Sequence, residues 1–261
     1  MPLPREVIEW RERAEIDHVG PFVKAWAAFN AWYRYVSGTN KDADSIRHIC
    51  AHPNPVRNAV LPYLDPMTID TAESTAFKGD LASLHAALEG FRLEVRHKGR
   101  LEHVSFRSVP IGQPKSLPQD VVHNSITYRV EKGASQWITT VLNRAGHEQL
   151  RISQSEHNLT DLQGIPGFSR LPPAQAAQLR ALYKDCDPRP MVDLLSGSEP
   201  PIMASTISFR ATCQDVFAGT IQTIYRMRNM LLHGELAPDP QALAGFEHAF
   251  HLLRRMLREC R

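Results

Sequence analysis

The sequence predicts a mainly helical α+β fold: a helical bundle interrupted by a small antiparallel β insertion. Two observations carry this. Apolar residues recur at helical spacing near both ends of the chain, and period-two alternation is confined to residues 101–155. No internal repeat or low-complexity tract divides the chain, so it reads as a single domain over 1–261, assembled from sequence-distant helices.

The first helix is expected over 21–36, where Phe22, Trp26, Phe29, Tyr33 and Val36 make one apolar face and Ser37-Gly38 supplies a stop. A second is expected over 44–51, ending before Pro53 and Pro55. A third runs from Asp80 to about His97, with Leu81, Leu84, Leu88 and Phe91 on one side and Lys98-Gly99 closing it. Alternation then takes over at Val104 and Phe106, at Ile126, Tyr128 and Val130, and at Leu150 and Ile152. Gly133 and the stretch from Asn143 to Gly146 provide turn chemistry, and 110–118 reads as a loop. Helices resume near Leu159 and over 172–186, the latter with proline in its first turn. An exposed loop follows over 187–201. Two long helices, about 206–232 and 240–259, form a terminal pair over 206–261.

The chain has 261 residues, enough for a sizeable core, and its 43% apolar and 22% charged content is globular rather than disordered. A net charge of +2 supplies no global basic field, so contact with nucleic acid has to use a local patch. Arginine outnumbers lysine 23 to 7, a bias that suits bidentate phosphate contacts and that a GC-rich genome also produces. Cys50, Cys186, Cys213 and Cys260 are scattered and read as reduced thiols, not as a disulfide framework or a zinc site. The charged opening, from Arg5 to Arg13, is not a signal peptide, and no apolar run is long enough to span a bilayer, so the expected location is cytoplasmic with no membrane partner.

The chemistry concentrates on the helix ending at Leu232. Asp215, Gln222, Arg226, Asn229 and His233 fall within about 60° on a helical wheel, a narrow polar stripe ending in a histidine. A polar stripe on a surface helix is by itself simply a solvated face. His233, however, sits in the last turn with Gly234 behind it, where the negative end of the helix dipole favours imidazolium. Such a histidine can exchange protons near neutral pH, and a neighbouring arginine can stabilise a developing phosphate charge. Asn229, one turn earlier, can orient the ring or bond a phosphate oxygen.

The spacing Arg-x4-His occurs four times, at Arg13/His18, Arg47/His52, Arg92/His97 and Arg228/His233. Only the last has asparagine after the arginine, apolar residues between, and His-Gly at a helix end. The segment Ile-Tyr-Arg-Met-Arg-Asn-Met-Leu-Leu-His-Gly-Glu, with Arg228-Asn229 and His233, resembles the active-site motif of the HEPN superfamily of ribonucleases. The stretch Trp-Ala-Ala-Phe-Asn-Ala-Trp-Tyr, from Trp26, resembles the first helix of such proteins. The resemblance is best over the two terminal helices and says little about 100–200. It implies a HEPN-like bundle and cleavage of an RNA substrate without metal or cofactor. His233 would be the general acid or base, Arg228 would stabilise the pentavalent phosphate, and the ends would be a 2′,3′-cyclic phosphate and a 5′-hydroxyl. It further implies a homodimer with two motifs across a two-fold axis, in a bacterial defence or toxin–antitoxin setting with a partner antitoxin or defence protein. Helix geometry leaves a second arginine open: Arg228 is about 140° from His233, whereas Arg226 is much closer in angle. Glu235 occupies the place where some family toxins carry a modifiable tyrosine, which argues against that regulation.

On the last helix, Leu243, Phe246, Phe250, Leu253 and Leu257 form the apolar stripe. His248, His251, Arg255 and Arg258 share a flank that can meet phosphates or simply face solvent. The competing readings are a non-catalytic dimerisation or RNA-binding module and, more distantly, a metal hydrolase using His48/His52 or His248/His251. The second lacks an H-E-x-x-H arrangement. Phosphate-binding glycine loops and a G-x-S-x-G elbow are absent from the sequence.

Overall fold

In a computed structural model of the chain, residues 17–97, 100–236 and 239–260 are described. They form a mixed α and β structure that divides into two compact units. One contains residues up to Val95, His103–Val109 and the chain from Asp193 onward. The other contains Arg96–Glu102 and Pro110–Val192.

The first unit is helical. Helix α1 (Val19–Ser37) buries Phe22, Trp26, Phe29 and Tyr33, the expected stripe, and Gly38 ends it at φ 65, a left-handed cap. Helix α2 (Asp42–Ala51) is tied back to α1 by Arg34 Nη2, which lies 2.6 Å from Asp42 Oδ1. Helix α3 (Pro55–Leu64) starts on Asn54, whose side chain accepts from the Arg57 amide at 2.9 Å, with Pro55 in the first turn. Helix α4 (Ala72–Gly90) opens with a capping box between Thr71 and Ser74 and buries Phe77, Leu81, Leu84 and Leu88.

Two more long helices complete this unit. Helix α8 (Cys213–Leu232) starts on Thr212, and α9 (Pro240–Arg258) on Asp239, each side chain accepting first-turn amides. Helix α9 packs against α1 and α4, and α3 packs against α8. Phe22 meets Phe246 edge-on at 4.9 Å. A Cβ at Gly245 would lie 3.2 Å from Met227 and 3.7 Å from Leu84, so its lack of a side chain sets the approach of α9 to α8 and α4.

The second unit is built on a four-stranded antiparallel meander: β3 (Gln119–His123), β4 (Ile126–Lys132), β5 (Trp137–Leu142) and β6 (Glu148–Gln154). The β3–β4 turn is Asn124-Ser125, at φ 51 and 63, the paired left-handed geometry of a tight hairpin. Tyr128, Val130, Leu150 and Ile152 point to one core with Leu179, Leu182 and Tyr183 of α7 (Pro173–Asp185). Short helices α5 (Leu159–Gly164) and α6 (Pro166–Ser169) add Leu162 and Phe168 to that core. The unit thus extends past the expected 101–155 stretch, because the sheet buries one face only when these helices cover it.

Several expected boundaries need correction. The third helix starts at Ala72 and stops at Gly90, and Glu94–His97 is instead strand β1, paired with β2 (Arg100–His103). The expected Lys98-Gly99 stop lies outside the described residues. Val104 and Phe106 are in no strand; both are fully buried in the helical unit. The helix expected from 206 begins at Cys213, because Ile207–Phe209 (β8) pairs with Ile202–Ala204 (β7). Among the described residues, no helix is long and apolar enough to cross a membrane, and all four cysteines are free thiols.

Candidate functional site

The end of α8 positions the motif. His233 is its C-cap residue, its amide donating to the Asn229 carbonyl at 2.9 Å. Gly234 follows at φ 68. The Glu235 amide donates to Met230 O at 2.9 Å and the Gly234 amide to Leu231 O at 3.4 Å, the two bonds of a Schellman cap. The cap holds the backbone of His233 at the negative end of a twenty-residue helix while the residue itself stays exposed.

Arg228 and Asn229, both half-buried, are joined. Arg228 Nη1 donates to Asn229 Oδ1 at 2.8 Å. The asparagine side chain therefore holds the arginine, and its backbone carbonyl, not its amide group, meets His233. Neighbouring side chains ordinarily diverge along a helix; here the long arginine folds back to reach the next residue.

Arg226 is placed differently. It is 4% exposed, and Nη1 donates to the Ser108 carbonyl at 2.8 Å. Although Arg226 lies near His233 on a helical wheel, its guanidinium is turned inward to this contact. Its guanidinium pins the segment carrying the buried Val104, Phe106 and Val109 to α8.

Of the other spacing matches, Arg47/His52 has both side chains described, and both are occupied otherwise. Arg47 turns back to Asp44 at 3.1 Å. The His52 ring stacks on His48, with centroids 4.4 Å apart, and its Nδ1 is 3.1 Å from the His48 carbonyl. Arg13 and the side chain of His97 lie outside the described residues.

The flank on α9 is not a simple basic surface. His251 Nδ1 lies 3.4 Å from Asp80 Oδ1, and Arg255 Nε donates to Asp80 Oδ2 at 3.1 Å. His248 is half-buried, and burial lowers its pKa against the opposing pull of Glu247 and Asp80. His18, just before α1, packs edge-on to His251, with centroids 5.8 Å apart. Arg258 is exposed and lines a small recess with Tyr63, Glu73 and Arg255. Sequence reasoning missed Asp80 and His18 as members, since no spacing pattern links them to α9.

The second unit has its own recess of about 300 Å³, lined by Glu102, Lys132, Trp137, Glu156, His157 and Arg189. Its lining is already engaged: Lys132 sits over Trp137 at 5.3 Å, His157 stacks on Tyr183 at 4.0 Å, and Arg189 is 3.8 Å from Glu102.

Comparison with protein-family models, with curated proteins and with solved structures gave no match.

Proposed function

We propose that this protein is a metal-independent endoribonuclease of the HEPN type, with Arg228, Asn229 and His233 as its site on a HEPN-like bundle. The observation that carries the reading is the pairing of Arg228 with Asn229 one turn before an exposed His233 at a capped helix end. An imidazole there is accessible to a large substrate and can exchange a proton with it. The guanidinium, held by Asn229, is arranged to meet a phosphate without first losing the freedom of a long side chain.

In this reading the ribose 2′-oxygen bonds to phosphorus as the bond to the 5′-oxygen breaks. One histidine removes the 2′-hydroxyl proton and a histidine supplies a proton to the leaving oxygen. Arg228 balances the charge of the pentavalent phosphate. A second copy of the chain would contribute the second histidine, which makes the working unit a homodimer. Arg226 is given no chemical role. Arg258, which is exposed, is the α9 arginine assigned to RNA phosphate; His248, His251 and Arg255 converge on Asp80 and are not assigned that role.

The test is cleavage of mixed RNA in EDTA by wild type and His233→Ala, with end-group analysis. Cutting that leaves cyclic-phosphate ends and disappears in the variant supports the enzyme. RNA binding by both proteins with cutting by neither identifies a non-catalytic RNA-binding module instead.

A further inference from the structure

The helical unit holds a constellation of metal-ligating side chains away from the Arg228–His233 motif. Asp80 comes from α4, and His248 and His251 come from α9. One ligand atom from each of these three lies within 4.8 Å of the others. We propose that Asp80, His248 and His251 form a binding site for a divalent transition ion of the zinc class, with water in the fourth position.

Three features of the geometry carry this. Residues three apart on a helix share a face, so His248 and His251 present two imidazoles to one point from a single rigid element. The separation of Asp80 Oδ1 from His251 Nδ1, 3.4 Å, matches the edge of a tetrahedron with bonds of about 2.1 Å, which is about 3.4 Å. His248 Nδ1 is buried and has no hydrogen-bond partner among the described residues. A buried ring nitrogen without a partner is costly, and an ion bound through it would remove that cost.

The surroundings fit as well. Arg255 Nε donates to the other oxygen of Asp80, fixing the carboxylate and leaving Oδ1 toward His251. Two imidazoles and one carboxylate are a borderline donor set, suited to zinc, cobalt or nickel and poorly suited to calcium or magnesium. His18 and Glu247 form a second triad with His251, within the same 4.8 Å limit. They stand beside the site as candidates for the water's hydrogen bonds. An ion here would clamp α4 to α9, adding a covalent-like tie between two helices that already pack together.

This inference does not depend on the ribonuclease reading, since the cleavage test is run in EDTA. The full chain is stripped with EDTA, transferred to metal-free buffer and titrated with zinc chloride by calorimetry, with bound metal counted after gel filtration. The expected result is one zinc per chain, a raised melting temperature on loading, and tetrahedral d–d absorption with cobalt(II). The double variant His248→Gln/His251→Gln is expected to lose that zinc and both spectroscopic and thermal signatures. His48→Gln/His52→Gln is expected to keep them, which separates this site from the stacked pair on α2. Because both α9 histidines are only half-buried, the double variant is expected to fold, and circular dichroism checks this. If that variant fails to fold, Asp80→Asn alone serves as the test. Wild type that takes up no zinc, or a folded variant that retains one per chain, overturns the proposal.

Discussion

Arg226 and Arg228 are two residues apart and separable by one substitution each. Arg226→Met keeps the length and much of the apolar stem and removes the guanidinium. The loss then includes the bond from Nη1 to the Ser108 carbonyl at 2.8 Å, in a side chain 4% exposed. A hydrogen bond from a charged donor contributes about 1.5–3 kcal/mol, and the carbonyl left behind belongs to the half-buried Ser108. A net destabilisation of about 2–3 kcal/mol follows, which for a unit of this size lowers the melting temperature by roughly 4–12 °C. Arg228→Met removes only a half-buried contact to Asn229 and is expected to shift melting little. Under the proposed chemistry it should reduce cleavage by about 10²–10³-fold, the scale of losing one donor to a developing oxyanion. Differential scanning fluorimetry and RNA cleavage below the melting transition read both effects. Arg226→Met with unchanged melting and abolished cleavage, beside an active Arg228→Met, would refute the assignment and make Arg226 the chemical arginine.

Gly234→Ala forces a Cβ into φ 68 and is expected to cost about 1–2 kcal/mol, read as a lower urea midpoint at unchanged m-value. Gly234→Asn should lose less, since asparagine tolerates the left-handed region. At Gly245, valine would press Met227 and Leu84, and overpacking of about 1–3 kcal/mol should appear as a lower melting temperature. Burial alone would raise the Asp42 carboxyl, but bonds from Arg34 and Asn30 outweigh it and hold its pKa below the usual carboxylate value. Its contribution to stability is therefore present above the unfolded carboxylate pKa of about 4 and is lost as pH falls through the lower folded value. Stability measured against pH should fall in that acid window for wild type and less for Asp42→Asn, whose neutral-pH stability is already reduced.

The long helices at the two ends were legible because their apolar stripes are periodic over several turns: Phe22 to Tyr33 on α1, Phe246 to Leu253 on α9. The meander was legible at β4 and β6, where burial alternates residue by residue. Helix α3 was not, because Pro53 and Pro55 read only as the end of the preceding helix, whereas Pro55 stands in the first turn of the next and needs no amide bond. The run of Glu94–His97 continues a helical composition, yet it pairs with Arg100–His103, so strand partnering overrode local preference. At the site, His233 and its glycine cap were readable from order alone. The bond from Arg228 to Asn229 was not, and neither was Asp80, which meets Arg255 across 175 residues.

What separates Arg228/His233 from Arg47/His52 is the company each side chain keeps. Arg47/His52 also ends a helix, so position at a helix terminus is insufficient. There the arginine is neutralised by Asp44, and the histidine is stacked on His48 with its Nδ1 at a carbonyl. An arginine matched to a carboxylate has to break that pair before it can meet a phosphate, and a carboxylate beside the site would repel the substrate. Arg228 is held by a neutral amide oxygen, so its positive charge remains uncompensated by that contact. His233 is exposed at its cap. The asparagine after the arginine thus has a physical reason: it fixes the guanidinium without cancelling the charge that a phosphate would need. Replacing it by aspartate would preserve the geometry and remove that advantage, which is why the identity of residue 229, more than the five-residue interval, carries the functional reading.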